Sequence, residues 1–131
     1  MNKEIVQSVY AAFKAKDLQK ILELQAENTE WSVAGPADKI PWAGPLTGHA
    51  GVTAFLKILG GLLVPEVFEI REYFEGNGKV VALGFQKGYV KTTHVPFQFD
   101  FVHVWELKEG KVTSFRVYYD TDYVASVLSR Q

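Results

Sequence analysis

Apolar residues change from helical to strand spacing near residue 60 of this chain. Ile5, Val6, Val9, Tyr10, Ala12 and Phe13 follow the helical repeat, which predicts an amphipathic helix over residues 2–16. Asp17 then stands as an N-cap for a second helix over 18–25, with Leu18, Ile21, Leu22 and Leu24 on one side. A short strand is expected at 30–33. Residues 34–48, AGPADKIPWAGPLTG, read as a loop, because Pro36, Pro41 and Pro45 oppose regular structure. Thr47 or Gly48 opens a third helix that directs Val52, Phe55, Leu56 and Leu59 to the core and ends at Gly60-Gly61. Strand spacing follows: 67–74 and 79–91 flank the hairpin signal Gly76-Asn77-Gly78, and a long pair from 95 to 122 turns at Glu109-Gly110. A last short helix is expected at 123–129.

The strand entered at Val95 is apolar on both faces, which predicts cover on both. Phe97, Phe99, Phe101, His103, Trp105 and Leu107 share one face, and Gln98, Asp100, Val102, Val104 and Glu106 the other. An Asp and a Gln among valines suit the wall of a ligand pocket, so the second face is assigned inward. Pairing outward from Glu109-Gly110 sets His103 opposite Arg116, Asp100 opposite Tyr119 and Phe99 opposite Asp120. Helices segregated against an antiparallel sheet define an α+β fold. A curved sheet wrapped around a helix leaves a cone-shaped hollow.

Length suits one domain over residues 1–131. The formal net charge of -1, with acids and bases interspersed, offers no basic stripe for a phosphate backbone, so nucleic acid is not expected as a partner. No signal-peptide pattern and no membrane-length apolar run is seen, so the expectation is no membrane association and a cytoplasmic location. Cysteine is absent, which excludes disulfides and thiolate chemistry. His49 and His94 lack companions at metal-ligand spacing, and no Gly-rich phosphate motif occurs, so neither metal nor cofactor is expected. Aromatic residues form 14% of the chain, more than one small sheet hides easily, which points to a lined cavity or a subunit interface.

Two N-terminal helices, the Glu30-Trp31 strand, Gly35-Pro36, Pro41 through Gly44, Gly48, Phe101-Val102-His103, Gly110-Lys111 and Tyr119-Asp120 together resemble SnoaL-like proteins. These belong to the nuclear transport factor 2-like (NTF2-like) superfamily, with ketosteroid isomerase, polyketide cyclases, limonene epoxide hydrolase and scytalone dehydratase. The resemblance spans essentially the whole chain. It implies a cone holding a hydrophobic or aromatic small molecule, and a homodimer formed through the outer face of the sheet. Cofactor-independent isomerisation, cyclisation, hydration or dehydration by general acid/base chemistry is also implied. Members share the cone and differ in what lines it.

Departures from the family patterns narrow the chemistry. Ketosteroid isomerases use an Asp base after the second helix and an oxyanion hole of Tyr and protonated Asp. Here Trp31-Ser32-Val33-Ala34 carries no acid, and aligning Gly110-Lys111 sets Val102 in place of the hydrogen-bonding Asp, so steroid isomerisation is disfavoured. Tyr10 matches the first-helix tyrosine. Gln98-Phe99-Asp100 has the acid of the epoxide hydrolases without their Arg.

The candidate catalytic residues are Asp100 as base with Tyr119 as donor beside it, and the polyketide cyclase-like pair His103 and Asp120. Against the latter stand a packed His103 and an Asp120 that caps the last helix. Tyr10, Trp31, Trp42, Phe55, Gln98 and Val102 are the expected ligand contacts, and Phe97, Phe99, Phe101 and Trp105 the expected dimer face. The competing function is a non-enzymatic ligand-binding or dimerisation module with an inert pocket.

Overall fold

The computed structural model describes residues 1–130. Helix α1 (Asn2–Lys14) buries Val6, Val9 and Ala12, and α2 (Leu18–Glu23) begins where the Asp17 carboxylate accepts the Lys20 amide at 3.1 Å. Strand β1 (Gln25–Val33) is longer than expected. Within the expected loop, Gly44–Thr47 forms a short strand, β2, at the sheet edge. Pro45 is tolerated there because an edge residue owes no second ladder bond.

Helix α3 (Gly48–Leu62) runs through Gly60-Gly61 instead of ending at them and passes directly into β3 (Leu63–Gly76). Strands β4 (Lys79–Val90), β5 (Pro96–Lys108) and β6 (Lys111–Tyr118) follow, then helix α4 (Thr121–Ser129), whose first turn is capped by Asp120 on the Tyr123 amide at 3.0 Å. Asn77-Gly78 and Glu109-Gly110 both hold positive φ at their two central residues, the conformation that makes a two-residue hairpin match strand twist.

The sheet order is β2-β1-β6-β5-β4-β3, antiparallel except for the parallel β1–β6 pair. The 14-residue β3 forms the other edge, and two bulges, Pro65 and the charges Glu66, Glu69, Arg71, Glu72 and Glu75 disfavour edge-to-edge pairing along it.

One irregularity sets the geometry of the site. A bulge after Leu107↔Val112 shifts the β5–β6 register by one residue. His103 therefore lies opposite Val117, and Val104, not His103, lies opposite Arg116. Strand β6 stops at Tyr118, opposite Val102, so the expected Asp100–Tyr119 and Phe99–Asp120 pairs do not form.

The face assignment of β5 is reversed as well. Phe97, Phe101, His103 and Trp105 are buried inside the single chain, at 4%, 2%, 7% and 1% exposure, while the Asp100 side chain is 80% exposed on the outer face. The more continuously aromatic face gains more by leaving water and takes the core. It is therefore not a surface awaiting a partner. The outer face instead carries half-exposed Val81, Leu83, Phe85, Val102 and Val104, with Tyr118 exposed. No helix of the described residues is long and apolar enough to cross a membrane.

Candidate active site inside the cone

The concave side of the sheet is lined by aromatic rings, and its polar groups come from residues far apart in sequence. Tyr10, on the inward side of α1, reaches β5. Trp105 Nε1–H donates to the Tyr10 hydroxyl oxygen at 2.9 Å, and that hydroxyl lies 2.6 Å from His103 Nδ1. Trp105 can only donate, so the hydroxyl oxygen accepts from it; with the hydroxyl proton directed at Nδ1, His103 is the neutral tautomer carrying hydrogen on Nε2, which has no hydrogen-bond partner among the described residues. Rings of Phe101, Phe115, Tyr10, Phe68 and Trp105 surround the imidazole at centroid distances of 4.2 to 6.3 Å.

Burial decides the protonation states. His103, enclosed by aromatic rings, has its pKa pushed down to about 3 by desolvation and remains neutral at ordinary pH. Tyr10 is pushed up by the same cause, opposed by the Trp105 hydrogen bond. A neutral imidazole donating from Nε2 can polarise a carbonyl oxygen or hold a developing oxyanion, as a protonated one could, without a buried charge.

A second relay of the same form lies at the wide end of the cone. Trp42 Nε1–H donates to the Tyr119 hydroxyl at 2.9 Å, and burial pushes the Tyr119 pKa up to about 12, opposed by that bond. Phe99 packs against Tyr119, with ring centroids 5.2 Å apart. Between these rings and α4 lies a void of about 10 Å³ bounded by Trp42, Leu63, Phe97, Phe99, Val124, Val127 and Leu128. The closed end is held by buried Gln25, whose Oε1 accepts from Thr29 Oγ1 and Trp31 Nε1.

The sequence-derived candidates separate accordingly. Tyr10, His103, Trp31 and Phe55 face the interior; Trp31 packs on Phe55 at 5.4 Å and on Phe115 at 4.6 Å as a core residue, not at the mouth. Trp42 and Tyr119 are joined to each other. Asp100, Gln98 and Val102 lie outside the cone, correcting their expected inward orientation: Asp100 pairs with Arg71 at 3.5 Å, Gln98 is exposed and Val102 half-exposed. Asp100 and Tyr119 do border one space, an open outer groove of about 590 Å³ shared with Arg71 and Tyr118. Asp120 is engaged as the α4 cap, and His103 bonds to Tyr10, so the His103–Asp120 pair is not assembled. Phe68, Phe101, Trp105 and Phe115 are interior residues around His103 that sequence reasoning did not place in the site; for Phe101 and Trp105 the aromatic run on the odd face of β5 was the available signal. Among the described residues no cluster of His, Asp or Glu could hold a metal.

The architecture and the aromatic interior define a cone-type protein of the NTF2-like fold. A family model for the SnoaL-like domain matches residues 6–115, and the chain belongs to that family. An NTF2-like protein from Burkholderia xenovorans LB400 is 32% identical over 98% of this chain and 95% of its own, with a TM-score of 0.89. TerC, co-crystallised with polyporic acid, is 29% identical over 98% of each chain, with a TM-score of 0.81. A protein of ketosteroid isomerase-like fold from Catenulispora acidiphila DSM 44928, in complex with trimethylamine, is 16% identical over 98% of this chain and 94% of its own, with a TM-score of 0.78. At that identity it shows the fold alone. No curated protein matches the chain.

Proposed function

We propose that this protein binds an uncharged, hydrophobic aromatic small molecule inside the cone, with a ligand oxygen against His103 Nε2–H, and that the Tyr10–His103 pair acts there as a neutral hydrogen-bond donor in place of a carboxylic acid. The observation that carries this reading is the Trp105–Tyr10–His103 chain of hydrogen bonds, which leaves His103 Nε2 without a protein partner among aromatic rings. Family membership supports a small-molecule role, and TerC, 29% identical, has been solved with polyporic acid. Isomerisation, aldol-type cyclisation and dehydration next to a carbonyl pass through an enolate that such a donor stabilises; the proton leaves to a basic group of the ligand or to water, and none of these reactions requires a cofactor. Asp100, exposed beside Arg71, has no role in this reading. The half-exposed apolar outer face of the sheet supports a homodimer formed there.

One observation favours the inert-module alternative: the void of about 10 Å³ behind α4 is too small for an aromatic molecule and His103 does not border it, so a ligand there must displace side chains. Titration with prodan, a neutral naphthyl ketone fluorophore, separates the two readings. Tyr10→Phe and His103→Gln each weaken binding roughly three- to tenfold, the range of one neutral hydrogen bond, while Asp100→Asn leaves it unchanged. No prodan binding by the wild type, or an affinity lost only in Asp100→Asn, refutes the interior site.

A further inference from the structure

Strand β6 ends at Tyr118 while β5 continues back to Pro96, so residues 96–101 of β5 have no β6 neighbour. Helix α4 occupies that place. Its contacts are mostly apolar: Val124 and Val127 are the buried anchors, Tyr123, Ala125 and Leu128 pack half-buried against the core, and one hydrogen bond, the Gln98 amide to the Tyr123 hydroxyl at 3.1 Å, joins it to β5. The void of about 10 Å³ lies at this seam, between Val124, Val127 and Leu128 on α4 and Trp42, Leu63, Phe97 and Phe99 behind it. Atoms along a void lack partners on one side, so the two surfaces separate there at the least cost. Asp120 caps the helix from within its own segment, so α4 can leave the sheet without losing its first turn.

We propose that α4 is the gate of the cone: it swings from the wide end as a unit about Tyr118–Thr121, latched by Tyr123 on Gln98, and its opening uncovers Trp42, Phe97 and Phe99. This rests on the interior-ligand reading for its purpose. The motion itself is a property of the free protein and can be read without ligand.

Hydrogen exchange of the full chain is the test. The helical amides of α4 should exchange on the order of a hundredfold faster than those around Trp105 in β5, reporting an opening below global unfolding. Tyr123→Phe removes one neutral hydrogen bond and should speed α4 exchange roughly three- to tenfold while β5 exchange stays fixed. Val127→Ala should do the same by loosening the seam. The association rate of prodan should rise with the α4 opening in both variants. Equal protection in α4 and β5, or α4 exchange that changes only in step with β5, overturns the gate. So does a prodan association rate that ignores a faster α4. If prodan binds no variant, the interior site falls and the exchange pattern alone decides the gate.

Discussion

Acidification should destabilise this protein through His103 before its carboxylates titrate. The imidazole is enclosed by Tyr10, Phe68, Phe101, Trp105 and Phe115, and burial lowers its pKa from 6.5 to about 3. As pH falls, the unfolded chain takes the proton first, so the contribution is fully present above pH 6.5 and is lost progressively down to about pH 3. At 1.36 kcal/mol per unit the ceiling is about 5 kcal/mol, and between pH 7.5 and pH 5 the linkage relation gives a loss of about 2 kcal/mol. For a domain of this size that is a fall in Tm of roughly 6–10 °C. Urea unfolding at pH 7.5, 6 and 5 measures the slope. His103→Gln, which retains His49 and His94, should start less stable but lose most of that pH dependence. If the variant keeps the wild-type slope, or NMR shows the His103 ring titrating near 6.5, the description of a dry, neutral imidazole is wrong.

Two other perturbations follow from packing. Gly84 on β4 faces Phe101, and a Cβ there would also come within 2.7 Å of the Glu69 carbonyl oxygen. Gly84→Ala should therefore cost about 2–3 kcal/mol by urea denaturation, and a neutral result would mean that β3 and β4 move apart readily. Val104→Lys places a charge in the middle of the apolar outer face. Light scattering at micromolar concentration should show twice the chain mass for the wild type and the chain mass for the variant, and a monomeric wild type removes the dimer.

Elements with local signals were legible in the sequence. Helical spacing marked α1 to within two residues, the Asp17 and Asp120 caps are formed as their positions suggested, and both Gly-containing hairpins turn where the residues say. What failed was non-local. A single bulge near Thr113 carries no sequence mark, yet it shifts every β5–β6 partner beyond it by one. The choice between two faces of one strand depends on which other elements are available to cover each, and alternation alone is silent on that. The Tyr10–His103 and Trp105–Tyr10 bonds span 93 and 95 residues, so they follow from the closure of α1 over the sheet and not from any motif. Gly60-Gly61 looked like a helix stop, but α3 continues because Leu62 and Leu63 are anchored against β4, with the Leu62 carbonyl accepting the Lys91 amide and Leu63 paired with Val90.

The absence of an inward carboxylate on β5 changes what the cone can accept. Phe97, Phe99, Phe101, His103 and Trp105 leave no acid on that side of the strand, and the interior relays involve only tryptophan, tyrosine and a histidine held neutral. A charged ligand would lose its hydration and meet no buried counter-charge, a penalty of several kcal/mol that one hydrogen bond does not offset. An uncharged aromatic carbonyl compound loses little by leaving water and meets a ready donor. The same rings that exclude water also strengthen that donor's interaction with any negative charge developing on the ligand oxygen. In the proposed site, selectivity for neutral ligands and stabilisation of an oxyanion would have one physical origin, the low dielectric around His103. A substitution that admits water beside it, such as Phe68→Ser, should weaken both together.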